Sequence, residues 1–131
     1  MDSPLILNLL WLIPTSIWLA TRNLPLPNRS IFRGISFGLV VSPASIGLYA
    51  LYYVGPIAAI PGMLGLVLSM FHGAAGYNIA VAFNLVPSNR VLIGAAQIPV
   101  ELINSFIWAS VYGLIGYIYG HFKIIKYSKN I

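Results

Sequence analysis

The sequence predicts an all-α fold, a polytopic transmembrane helix bundle, on three observations. Gly34 to Asn89 carries no Asp, Glu, Lys or Arg over about 56 residues, where one membrane crossing needs ~20. The chain of 131 residues is 59% hydrophobic and 7% charged, whereas soluble domains sit near ~25% charged. Its seven basic residues all stand at the ends of apolar segments, where head groups and the membrane potential hold them. Four spans account for this pattern, at about residues 4–21, 34–54, 56–86 and 91–120 of a single integral membrane domain, 1–131.

The same composition excludes several classes of function. A net charge of +5 would suggest nucleic acid in a soluble protein; here it reads as affinity for anionic lipid, and no nucleic-acid partner is expected. The absence of cysteine removes disulfides, thiolate metal sites and Cys nucleophiles. There is no phosphate-binding Gly-rich loop, no HExxH and no GxSxG elbow, so catalysis by this chain is not expected.

The first span, 4–21, is near the minimum length for a crossing. Asp2 without any early Lys or Arg, and Trp18 where a small residue would be needed, argue against a cleaved signal peptide. Pro4 suits a first helical turn, and Pro14 is expected to kink the middle. The loop from Arg22 to Arg33 holds Arg22, Arg29 and Arg33 with Pro25 and Pro27. Three arginines in a short loop place it on the cytoplasmic, stromal or matrix side and the N-terminus outside.

In the second span Gly34, Gly38 and Ser42 recur every four residues. Small residues on one face let another helix backbone approach, which drives association where lipid removes the hydrophobic term. Tyr49, Tyr52 and Tyr53 at its far end suit an interfacial aromatic belt. Gly62, Gly65, Ser69, Gly73 and Gly76 make a similar stripe in the third span. Residues 56–86 are longer than one crossing needs, so the segment either tilts or breaks near His72-Gly73. The break would make three spans plus a re-entrant hairpin over 56–87, which requires buried non-helical backbone.

The fourth span carries Gly113, Gly116 and Gly120 on one face, followed by Lys123, Lys126 and Lys129 as a head-group anchor. Four simple crossings put that lysine tail opposite the arginine loop; the re-entrant version puts both on one side.

Chemistry could reside in few places. Glu101 is the one acid inside an apolar segment, and a central charge costs ~2.5–3.5 kcal/mol to insert, so it must be neutral, paired or wet. Gln97, Glu101, Asn104 and Ser105 share a helix face. His72 falls at a depth similar to Glu101 in an antiparallel hairpin, so a His–Glu pair would lower the insertion cost of both and could relay protons. His72 is also a candidate axial ligand for haem or chlorophyll, with Gly73, Ala74, Ala75 and Gly76 leaving room for a flat ring. The plainer reading is a histidine and asparagines (Asn78, Asn84, Asn104) hydrogen-bonded between helices. Two functions follow. The first is a small non-catalytic subunit that stabilises a larger membrane complex, with electron-transport and photosynthetic assemblies the first classes to consider. The second is a homo-oligomeric ion- or proton-coupled transporter or channel using Glu101 and His72. Lipids, other membrane subunits or further copies of the chain are the expected partners, in a plasma, thylakoid or inner organellar membrane.

Overall fold

The computed structural model describes residues 8–89, 92 and 94–128. They form four α-helices: α1 Leu12–Ala20, α2 Asn28–Ala50, α3 Pro56–Ala82 and α4 Ile98–Ser128. Short 3-10 turns, Leu51–Tyr53 and Gly94–Gln97, extend α2 and precede α4. Among the described residues three stretches are long and apolar enough to cross a membrane, Asn28–Tyr53, Pro56–Ala82 and Gly94–Ser128.

The nine residues of α1 reach only about 14 Å. Asn8 and Leu9 are helical as well, and the segment is interrupted by a turn at Leu10-Trp11. Pro14 has no N–H for the Leu10 carbonyl, which takes the Ile13 N–H at 3.1 Å instead, so the expected break at Pro14 falls there. Residues 4–7 of the first expected span lie outside the described residues. Thr21 closes α1 by turning its hydroxyl back to the Ile17 carbonyl at 2.6 Å.

α2 begins at Asn28, before the expected Gly34. Arg29 and Arg33 are therefore helical rather than in a loop: arginine is a good helix former, and the proline pair ends at Pro27, immediately before the helix. Pro43 inside α2 cannot donate to the carbonyl of Leu39; the Ser105 hydroxyl donates to that carbonyl instead, at 2.7 Å.

α3 is unbroken from Pro56, at its first position, to Ala82. It passes through His72-Gly73 without interruption, so the re-entrant hairpin over 56–87 does not occur. The helix stops at Phe83-Asn84: Asn84 takes a left-handed φ of 55°, and the Leu85 N–H returns to the Ala80 carbonyl at 2.8 Å, a Schellman closure. Asn84 is thus a helix terminator and not an interhelical bond. α4 starts at Ile98, later than expected, and runs to Ser128, so Lys123 and Lys126 extend the helix rather than follow it. Lys129 lies outside the described residues.

The contact registers fix the architecture. Along α2 and α4, a Cβ on Gly34 or Gly38 would overlap the backbone of Tyr112 or Trp108, and one on Gly116 or Gly120 would meet Ser30 or Pro27. Along α2 and α3, Gly65 abuts Leu48 and Tyr49, and Gly62 abuts Tyr52. Along α3 and α4, Gly76 meets Asn104 and Val100, and the Trp108 indole reaches the His72 carbonyl. Every pair runs antiparallel where it touches. Three helices within ~20° of one axis, as in an upright bundle, cannot be mutually antiparallel. Because α2 and α4 stay side by side from Pro27 and Gly120 to Ser42 and Glu101, it is α3 that runs across this pair, at a hub near Ser42, Gly76 and Asn104.

The interior is built from small side chains. The largest fully buried ones are Val41, Asn104, Ser42 and Ser45, and the large apolar residues face outward, Ile57 (91% exposed) and Phe71 (74%) among them. A soluble protein would reverse this arrangement. Gly116 and Gly120 lie against Ser30 and Pro27, so the end of α4 bearing Lys123 shares an end of the molecule with Arg29 and Arg33. Counting crossings by parity assumes a common helix axis, which these helices lack.

Candidate functional site

The polar residues of the hub come from all three long helices, and α4 supplies most of them. Its Glu101–Asn104–Ser105–Trp108–Tyr112 set divides between two neighbours. Glu101 and Ser105 face α2, where Ser42 Oγ donates to Glu101 Oε2 at 2.7 Å and Ser105 reaches Leu39. Asn104 and Trp108 face α3, and Tyr112 lies between the two, its ring edge-on to Phe37 of α2 at 4.9 Å and its hydroxyl turned to His72 of α3. Asn104 is fully buried; its Oδ1 accepts from the Gly76 N–H at 2.6 Å and its Nδ2 donates to the Gly73 carbonyl at 3.2 Å. Trp108 Nε1 donates to the His72 carbonyl at 2.9 Å. Two α4 side chains thereby grip the α3 backbone within a single turn, and the absence of a side chain at Gly76 is what lets Asn104 come so close.

His72 is 5% exposed, with Nδ1 2.8 Å from the Leu68 carbonyl and Nε2 2.9 Å from the Tyr112 hydroxyl. A carbonyl only accepts, so Nδ1 carries the proton. In the neutral ring, Nε2 then accepts from Tyr112. The Trp108 ring packs edge-on at 4.4 Å.

Compared with protein-family models, curated proteins and solved structures, the chain has no match. Its chemistry has to be read from these contacts alone.

Several expected groupings come apart. His72 and Glu101 are held by different hydroxyls, on Tyr112 and Ser42, and do not form the anticipated pair. A haem or chlorophyll on His72 does not fit: both ring nitrogens have protein partners, and Asn104 and Val100 occupy the space beside Gly76 where a flat ring would lie. Gln97 folds back onto the Leu92 carbonyl at 2.6 Å and leaves the Glu101 face. Gly73 borders open space, and Ser69 bonds within its own helix to Leu66. Asn78 is exposed.

Ser105 makes its contact from the expected polar face, whereas Trp108 and Tyr112 carry hub contacts not expected from the sequence. Trp108 and Tyr112 follow Asn104 at steps of four, and both reach His72 of α3. An aromatic with a polar tip in mid-span needs a partner, and that was the available signal.

A second feature lies at the basic end. A cavity of about 530 Å³ opens between α1, α2 and α4, lined by Pro14, Trp18, Arg29, Arg33, Phe37 and Lys123 among others. Tyr112 lines it too, so the hydroxyl that holds His72 belongs to a residue of the cavity wall. Neither this cavity nor a smaller one at Val81–Asn89 is lined by Glu101 or His72.

Proposed function

We propose that the chain is a non-catalytic integral membrane subunit that packs into a larger membrane assembly and stabilises it. The observation that carries this reading is the outer face of α3. Only 17% of its most apolar stretch is buried within the chain, against 22% for the stretch that includes α4 and 44% for the one that includes α2. Ile57, Ile60, Met63, Val67, Met70 and Phe71 all point away from the molecule. A helix that crosses its neighbours steeply and offers an uninterrupted apolar ridge is suited to wedging between other spans. The hub supports the same reading, because its polar groups are occupied with holding helices together. A transporter would need Glu101 and His72 on a shared wet path, and each is instead closed by its own hydroxyl partner.

In this reading the basic end faces the cytoplasm, stroma or matrix of a plasma, thylakoid or inner organellar membrane. The N-terminal segment runs antiparallel to α2, with Arg33 bonded to Thr21 at 3.1 Å and Asn8 to Gly47 at 3.0 Å. It thus accompanies α2 over about 21 Å as far as Asn8.

The test is solubilisation from the native membrane in mild detergent. The chain should migrate in a particle that contains other polypeptides in fixed ratio, and Ile60→Ala/Phe71→Ala should release it. Recovery only as a monomer or a dimer of this chain would overturn the proposal.

A further inference from the structure

The cavity at the basic end is a built site with a polarity of its own. Arg29 sits in the first turn of α2 and Lys123 near the end of α4, both half-buried and both lining it. Phe37, Tyr112 and Ile115 line it two to three turns further in. Because α2 and α4 are antiparallel, the inward direction is the same on both walls: charged at the rim, apolar behind. Its volume falls within the ~300–1,000 Å³ of small-molecule sites.

The cations there lack counter-charge. Among the described residues the one side-chain carboxylate is Glu101, which is bound to Ser42 at the hub. Arg33 is already fixed: Nε donates to Thr21 at 3.1 Å, Nη2 to the Trp18 carbonyl at 2.9 Å, and the guanidinium stacks on the Trp18 ring at 3.8 Å. Arg29 spends one donor on the Arg22 carbonyl at 3.1 Å and keeps four, since a guanidinium has five N–H groups. The Lys123 ammonium lies 5.6 Å from the Tyr119 ring centre and makes no hydrogen bond among the described residues.

We propose that this cavity binds one anionic phospholipid, with its phosphate between Arg29 and Lys123 and the first part of an acyl chain against Phe37 and Ile115. Two cations without a carboxylate select a negative head group. The apolar wall behind them selects a lipid over a free phosphate, and Arg33, locked on Trp18, holds the α1 wall in place. The site is independent of whether the chain assembles with other subunits.

The experiment uses the full chain in mild detergent, with bound lipid counted by native mass spectrometry. Phosphatidylglycerol and phosphatidylcholine of equal chain length are added separately, and glycerol phosphate is added as a competitor. The expected result is one phosphatidylglycerol per chain, retained at least about tenfold better than phosphatidylcholine and not displaced by glycerol phosphate. Arg29→Gln/Lys123→Gln should abolish the preference. Lys123→Gln alone should weaken it and serves should the double variant fold poorly; Lys126→Gln, outside the cavity lining, should leave it intact. Equal retention of the two lipids, or an unchanged preference in both cavity variants, would overturn the proposal. Displacement by glycerol phosphate would overturn the lipid assignment in favour of a simple phosphate site.

Discussion

Ser105 on α4 donates its hydroxyl to the carbonyl of Leu39 on α2 at 2.7 Å, the acceptor that Pro43 leaves without its helical donor. A defect in one helix is thus completed by its neighbour. Ser105→Ala should lower stability by ~0.6–1.7 kcal/mol, the range of interhelical bonds in a bilayer. In a Pro43→Ala background, where a backbone N–H returns to position 43, the same change should cost less than half as much. Unfolding in mixed micelles measures both, and equal costs would show that the two positions are uncoupled.

The glycines divide into two kinds, and substitution should separate them. A Cβ on Gly38 would overlap the Trp108 carbonyl, whereas one on Gly73 meets nothing. Gly38→Ala should therefore destabilise by ~1–3 kcal/mol or more through forced separation of α2 and α4. Gly73→Ala should be neutral or stabilise by up to ~1 kcal/mol through helix propensity. Similar thermal midpoints for the two variants would contradict the close α2–α4 approach.

Tyr112→Phe removes the donor to His72 Nε2 and strands a buried acceptor. A loss of ~1–3 kcal/mol is expected, and most of it should vanish when His72 is already Ala. The visible absorbance of purified material should be the same with His72→Ala as without; a band lost in that variant would mean that the imidazole ligates a pigment after all.

Single cysteines test the shared basic end, since the chain has none of its own. Placed at Arg29 and at Lys126 and probed in sealed vesicles, both should react from the same side. Labelling from opposite sides would refute the antiparallel register of α2 with α4.

Much of the fold was legible because hydropathy and small-residue spacing are local signals. The uncharged run from Gly34 to Asn89 and the stripes through Gly34, Gly62 and Gly113 need no partner to be seen. The helix ends were less so: Arg29 and Arg33 were assigned to a loop because charge marks a membrane boundary, while the backbone continues as helix past that boundary. The crossing was not legible at all, since nothing in periodicity reveals the angle at which two glycine faces meet. The same ignorance paired His72 with Glu101 on depth alone. Depth was a fair guide in an upright bundle, but rotation about the α4 axis sends Glu101 to Ser42 and Tyr112 to His72. The cavity escaped because its walls, Trp18, Arg29 and Lys123, are distant in sequence, and no local pattern marks them as neighbours.

The long seam of α2 with α4 also constrains how the molecule comes into being. A growing chain delivers its N-terminal elements first, so Gly34 and Gly38 are made well before Trp108 and Tyr112 exist to cover them. Until then that side of α2 lacks its partner in the chain. The nascent polypeptide therefore passes through a stage with its stickiest stripe bare, and any interruption of synthesis before Gly113 would leave it so.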